Sequence, residues 1–367
     1  MKVLYDHQIF SLEKYGGISR YFYELISEYE HIEDIEATTS LLVSNNHYLS
    51  DRKYVQHMNL FPSKEFRGKH RLLSPINKIN SIQKIKMKNY NVFHPTYYDP
   101  YFLKYLGNMP FVLTVYDMIH EKFSEMISKN DRTSHNKKIL AEKASKIIAI
   151  SESTKNDLIE IFNIEAEKID VVYLSSSMKI NNDFEMKINL PSKYILFVGR
   201  RTGYKNFSTF IKAVSRILNE EADLLIVCVG AGKFTSDEIH LFNQLNIKDK
   251  ILQFDLDDES LSQFYKNALM FVFPSLYEGF GIPILESFAC GCPLVCSNTS
   301  SLPEVAGNGA QYFDPSSEKS IFDAINKVFN DKEFRKILIK SGTQRLKYFS
   351  WRQTAIKTQK IYESVVK

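Results

Sequence analysis

Apolar residues along this chain follow two rhythms. Nearly unbroken short runs at 2–5, 111–115, 146–150, 194–198, 224–229, 251–254, 269–273 and 294–297 read as strands buried on both faces. Segments 37–43, 92–95 and 171–174 extend the first set. Between the runs the spacing changes to that of a helix, as in Tyr21, Phe22, Leu25 and Ile26, and again over 155–162, 260–268, 321–329, 334–346 and 354–366. Ser151 to Thr154 supply oxygens for the first N–H groups of the helix from Lys155. Such alternation predicts parallel sheets covered by helices. Residues 175–189 are polar and rich in Ser and Asn, which places a boundary there and predicts domains 1–178 and 179–348.

A length of 367 residues agrees with two cores. The 44% hydrophobic content, 14 Gly and 11 Pro exclude disorder and low complexity. A net charge of +4 is too mild to call for nucleic acid. Met1 to Asp6 is too short and polar for a signal peptide, and no apolar run is long enough to span a membrane. Of the four cysteines, Cys290, Cys292 and Cys296 cluster without the second pair that zinc sites use. Reduced thiols and a cytoplasmic location are therefore expected. Segment 64–88 is different in kind. It carries eight Lys or Arg against one acid, Glu65, with Ile76, Ile79 and Ile82 interleaved. A basic amphipathic helix of this sort can lie on an anionic membrane face.

The chemistry concentrates in loops after strands. Pro274 to Glu286, reading PSLYEGFGIPILE, joins a strand to a helix whose first turn suits Pro283. Gly279 and Gly281 let backbone approach a ligand, and the helix start offers N–H groups to phosphate or sugar oxygens. Glu278 and Glu286 punctuate the loop. Gly16 and Gly17 form a similar corner before the helix at Tyr21. After the run 194–198 comes Gly199-Arg200-Arg201-Thr202-Gly203-Tyr204-Lys205-Asn206. Cations at a helix start are locally unfavourable unless an anion sits there. Asp117 and His120 follow the run 111–115 and face the ligand edge of an open sheet. Gly-x-Gly-x-x-Gly, a P-loop and His-Glu-x-x-His are each incomplete, so a dinucleotide cofactor, an NTPase and a zinc hydrolase are not supported.

These motifs resemble the retaining glycosyltransferases of family 4, strongly over 194–314 and loosely before it. The resemblance implies an α/β GT-B fold: two Rossmann-like, doubly wound parallel-sheet domains facing across a cleft. After the Phe349-Ser350-Trp351 signature, residues 349–367 would form a helix that crosses back to the first domain. It implies a nucleotide-diphosphate sugar donor, no cofactor and no metal. The acceptor would be a glycan or lipid-linked glycan, in bacterial surface-polysaccharide synthesis. Donor contacts would come from Gly16, Gly17, Arg200, Arg201, Lys205, Gln253, Glu278, Gly279, Phe280, Gly281, Ile282 and Glu286. Glu278 would hold the sugar hydroxyls and Glu286 the ribose. Lys205 would grip the diphosphate, with Arg201 preferred to Arg200 beside it. Residues 298–304 would set backbone amides near that group. Asp117 and His120 would stand near the acceptor; where the family often has a catalytic His, this chain has Tyr116. Asp255-Leu256-Asp257, a metal motif in the other transferase fold, reads here as the lead into a helix. The rival functions are a glycoside hydrolase using Glu278 and Glu286, a nucleotide-sugar epimerase on the same fold, and a non-catalytic binding module.

Overall fold

The structure, a computed structural model, describes residues 1–49, 55, 57–58, 69–181, 183–184 and 188–366, with backbone alone for 69–73. The chain divides into two compact units, Met1–Leu174 with Ser350–Lys367, and Ser175–Phe349.

In the first unit β1 (Lys2–Tyr5), β2 (Glu36–Thr39) and β3 (Val92–His94) pair in the order β2-β1-β3. The strands β4 (Val112–Val115), β5 (Lys146–Ala149) and β6 (Ile169–Val171) pair as β4-β5-β6. Every ladder is parallel. A bridge from Phe93 to Phe111 joins β3 to the start of β4, giving one layer that reverses direction of growth at β1 and β3. The second unit holds β7 (Tyr194–Val198), β8 (Leu225–Val229), β9 (Ile251–Phe254), β10 (Met270–Phe273), β11 (Leu294–Ser297) and β12 (Ala310–Phe313), ordered β12-β11-β10-β7-β8-β9. This is the doubly wound order whose switch point, between β7 and β10, is where ligands bind in such sheets. Its core is built from Ile195, Phe197, Phe210, Ile226 and Val272, among others, all almost wholly buried.

Most strands lie where the apolar runs predict them. The second stops at Thr39 rather than continuing to Val43, and the sixth starts at Ile169, earlier than its apolar run suggests. β12 has no counterpart in the sequence reading. It is an edge strand with only Phe313 buried, so it leaves no apolar run. The helix Lys69–Met87 turns a mixed face inward, with Asn77, Ser81 and Ile85 all buried. Asn77 bonds the Val43 and Leu42 backbone, and Ser81 meets the Tyr101 hydroxyl at 2.6 Å. Ile79 and Met87 stand 60% and 72% exposed. No helix among the described residues is long and apolar enough to cross a membrane.

The last helix, Trp351–Val365, completes the core of the first unit. Ser350 caps it by accepting the Gln353 N–H, and Tyr29 donates to the Ala355 carbonyl at 3.2 Å. The Tyr362 hydroxyl meets Tyr5 at 2.8 Å and His94 Nδ1 at 2.5 Å, while His94 Nε2 meets Thr114 at 2.9 Å. Three strands are thereby tied to one helix through buried polar groups that cannot be left unpaired without cost.

Burial moves the His94 imidazole from its ordinary 6.5 to about 3, so the folded chain keeps it neutral. The unfolded chain takes up that proton below 6.5, so this stability is complete above pH 6.5 and is lost as pH falls towards 3. Urea denaturation of His94→Gln should show the acid-side slope reduced by up to about 1.4 kcal/mol per pH unit. An unchanged slope would assign the acid sensitivity elsewhere.

Candidate active site

At the β7–β10 switch point two loops meet. The Leu276 N–H donates to the Tyr204 carbonyl at 2.7 Å. Beside that bond Lys205 Nζ lies 2.6 Å from Glu278 Oε1. The same oxygen accepts from Ser275 Oγ at 2.6 Å, and among the described residues Oε2 carries no hydrogen bond. Lys205 is further flanked by the rings of Tyr204 and Phe273, 5.3 and 5.6 Å from its nitrogen. Gly281 then opens the helix Ile282–Ala289 in the left-handed region at φ 98°, where a Cβ would stand 3.0 Å from Leu302. Phe280 is buried against Phe349, and Pro283 sits in the first turn as expected. Glu286, about a turn further on, is buried and accepts from the Tyr265 hydroxyl at 3.3 Å.

The loop after β11 braces this one. Ser301 Oγ donates to the carbonyls of Glu278 and Phe280 at 2.8 and 3.0 Å. Ser300 Oγ accepts the Glu278 N–H at 2.9 Å. The sequence singles out 298–304 for backbone amides, and it is the side-chain hydroxyls that here hold the Glu278 backbone. A Ser-Ser pair two residues before a proline-started helix is the signal that could have shown it.

The two arginines part company. Arg201 is buried and its guanidinium makes four hydrogen bonds. Nε donates to Glu238 at 2.8 Å, Nη1 to the Gly230 carbonyl at 2.9 Å, and Nη2 to the carbonyls of Gly232 and Lys233 at 2.9 and 3.0 Å. It lies over the Phe234 ring and closes a turn in which Gly230, Ala231 and Gly232 all have positive φ. Glu238 meanwhile completes a capping box with Thr235. Arg200 is exposed, with no ion-pair partner among the described residues. The arginine preferred from sequence is therefore committed to structure, and its neighbour is the one open to an anion.

In the first unit Gly16 precedes the helix Gly17–Tyr29. A Cβ on Gly16 would fall 2.0 Å from the Glu13 carboxylate, which accepts the Ser19 N–H at 3.3 Å. The chain's own acid, unnoticed in the sequence, covers this helix start. Past β4, Asp117 accepts the Ile119 N–H at 3.0 Å and keeps about a quarter of its side chain exposed (27%). His120 Nε2 stands 3.8 Å from Asp131, and Nδ1 is buried with no hydrogen-bond partner among the described residues. Tyr116, at the position of the family histidine, is buried with its hydroxyl on the Thr96 carbonyl at 3.2 Å. Burial raises its phenol well above the usual range, so it moves no proton near neutrality.

The remaining candidates are more ordinary. Gln253, on the edge strand β9, donates to Asp255 at 3.0 Å. Asp257 caps the helix Asp258–Asn267 by accepting the Ser260 N–H, as its place in the sequence suggests. All four cysteines are buried and unpaired. Of the basic segment 64–88, residues 64–68 lie outside the described residues.

Two family models match. Glycosyl transferases group 1 covers residues 178–345, and Glycosyltransferase Family 4 covers residues 15–174. The chain is 27% identical to an uncharacterised glycosyltransferase of Methanocaldococcus jannaschii, over 92% of this chain and 87% of that one. It is 28% identical to O-antigen chain mannosyltransferase B of Escherichia coli, over 80% and 79%. Among solved structures, Anabaena HepE in complex with UDP and glucose superposes with a TM-score of 0.77 at 15% identity, covering 99% of this chain and 100% of that one.

Stability measurements separate the two arginines. Arg201→Ala takes the guanidinium donors from three carbonyls and leaves the Glu238 carboxylate with only its Thr235 N–H among the described residues, and should cost about 3–5 kcal/mol in chemical denaturation. Arg200→Ala should stay within about 0.5 kcal/mol of the parent.

Proposed function

This chain belongs to the group 1 glycosyltransferases of family 4, with the GT-B fold, and from that premise we propose that it moves a hexose, with retention, from a nucleotide-diphosphate sugar to a glycan or lipid-linked glycan. The observation that carries the reading is the Lys205–Glu278 pair at the switch point of the second unit, with Arg200 exposed close by in sequence. Breaking a sugar–diphosphate bond builds negative charge on the leaving phosphate and positive charge on the sugar. Fixed cations and helix-start amides placed where that charge grows lower the barrier without a metal. Arg200, Lys205 and the N-terminus of Ile282–Ala289 are assigned that task. Arg201 acts indirectly, by shaping the neighbouring turn. Glu278 Oε2 is assigned to the sugar hydroxyls and Glu286 to the ribose. On the first unit, Asp117 is assigned to the acceptor.

The relatives support the substrate class. One is named a mannosyltransferase of O-antigen chains, and another, from Campylobacter jejuni, acts by name on a diphospho-undecaprenol-linked sugar. An acceptor of that kind lies at a membrane surface. The outward Ile79 and Met87, with Lys86 and Lys88 beside them, are proposed as the contact with anionic lipid.

Each part has a test. A thermal-shift screen of UDP-, GDP-, ADP- and dTDP-sugars should single out one nucleotide, because selective binding raises the melting temperature. With that donor, Lys205→Ala and Arg200→Ala should each lose transfer by ~10²-fold or more, as lost transition-state electrostatics would. Donor consumption without acceptor would favour an epimerase, and binding without turnover a non-catalytic module. Ile79→Glu with Met87→Glu should abolish flotation with phosphatidylglycerol vesicles; persistent flotation would remove the membrane assignment.

A further inference from the structure

Lys137 plays no part in the sequence reading, yet it is one of the most deeply buried charges in the chain. It lies in the helix Thr133–Lys143, and its side chain is only 1% exposed. Its ammonium donates to Glu121 Oε2 at 2.9 Å and to the backbone carbonyl of Asp117 at 2.8 Å. It stands 4.0 Å from Asp117 Oδ1 and 5.4 Å from the Tyr98 ring centre. Burying an ammonium is expensive unless it is paired and hydrogen-bonded. A methionine would fill similar space without that expense. What it could not do is hold a carboxylate and a main-chain carbonyl together.

The carbonyl it holds belongs to the second residue past β4, the point where the chain leaves the sheet. The short helix that follows, Ile119–Lys122, is fastened at its far end as well, by Lys122 to Asp157 at 2.6 Å. Between these anchors Asp117 Oδ1 accepts the Ile119 N–H and lies 4.0 Å from the Lys137 ammonium, and the side chain keeps 27% of its surface exposed. The other oxygen of Glu121 is buried with no hydrogen-bond partner among the described residues, so that carboxylate depends on Lys137 for its charge compensation.

We propose that Lys137 is a positioning residue of the acceptor side: its grip on the Asp117 carbonyl and the Glu121 carboxylate fixes the height and direction of the Asp117 carboxylate. This rests on the reading of Asp117 as an acceptor contact. Lys137 itself touches no reacting atom. Its effect appears in acceptor use and leaves the second unit's handling of the donor unchanged.

Removing Lys137 alone strands Glu121, so the informative variant is Lys137→Met with Glu121→Met, which removes both charges and restores stability. Transfer is followed from the sugar nucleotide selected in the thermal-shift screen to octyl α-D-mannopyranoside as acceptor probe. The double variant should melt within a few degrees of the parent and keep the parent's donor thermal shift. Its kcat/KM for the acceptor should fall by ~10²-fold, the penalty of a reacting group displaced by about 1 Å. On an Asp117→Ala background the same pair of substitutions should cost little more, because residues acting through one group are not additive. A stable double variant with parental acceptor kinetics, or losses that multiply with Asp117→Ala, overturns the proposal while the acceptor reading stands. Asp117→Ala with parental acceptor kinetics overturns that reading, and the proposal with it. A parent chain that consumes none of the sugar nucleotides overturns the transferase assignment itself.

Discussion

The candidate site of the second unit depends on one pairing that chain order does not suggest. β10 docks beside β7 although two strands come between them in sequence. That pairing places the loops after both strands side by side and brings Lys205 against Glu278 across 73 residues. The result is a nearly neutral pair with both members mostly withdrawn from water. Their short contact and low exposure make each more effective than a surface charge would be. On the proposed reading a diphosphate draws on the lysine while a sugar hydroxyl draws on the free oxygen of the glutamate. The pair is then shared with the substrate rather than broken for it, and little reorganisation is left for the moment of reaction.

Around that pair the second unit spends its polar groups on stiffness. Ser300 and Ser301 hold the Glu278 backbone from one side, and the Leu276–Tyr204 bond holds it from the other. Arg201 clamps the left-handed turn after β8. Adjacent arginines thus have opposite fates. One is turned inward onto carbonyls that need donors, and the other is turned out where an anion can reach it. The inward arginine also meets a glutamate thirty-seven positions away, its Nε donating to Glu238.

Much of this was readable from the residues. Buried parallel strands declare themselves as apolar runs, and strands such as β7 and β11 lie at the predicted positions. The loops after β7 and β10 were visible because Gly, Pro and charged residues at a strand's end have few structural uses. What stayed hidden depends on partners distant in sequence. No local feature separates Arg200 from Arg201, or marks Lys137 as buried rather than exposed. β12 was missed because an edge strand buries little.

The buried trio of Tyr5, His94 and Tyr362 carries a further consequence for how the protein is made. The first unit begins with β1 but lacks its closing helix until Trp351–Val365 has been made. At ~5–20 residues per second the whole second unit is synthesised in the interval, on the order of ten to thirty seconds. During that time the nascent first unit presents an open apolar flank and an imidazole short of one partner. The second unit, contiguous in the chain, can mature first, so the half that begins emerging earlier is the later to finish.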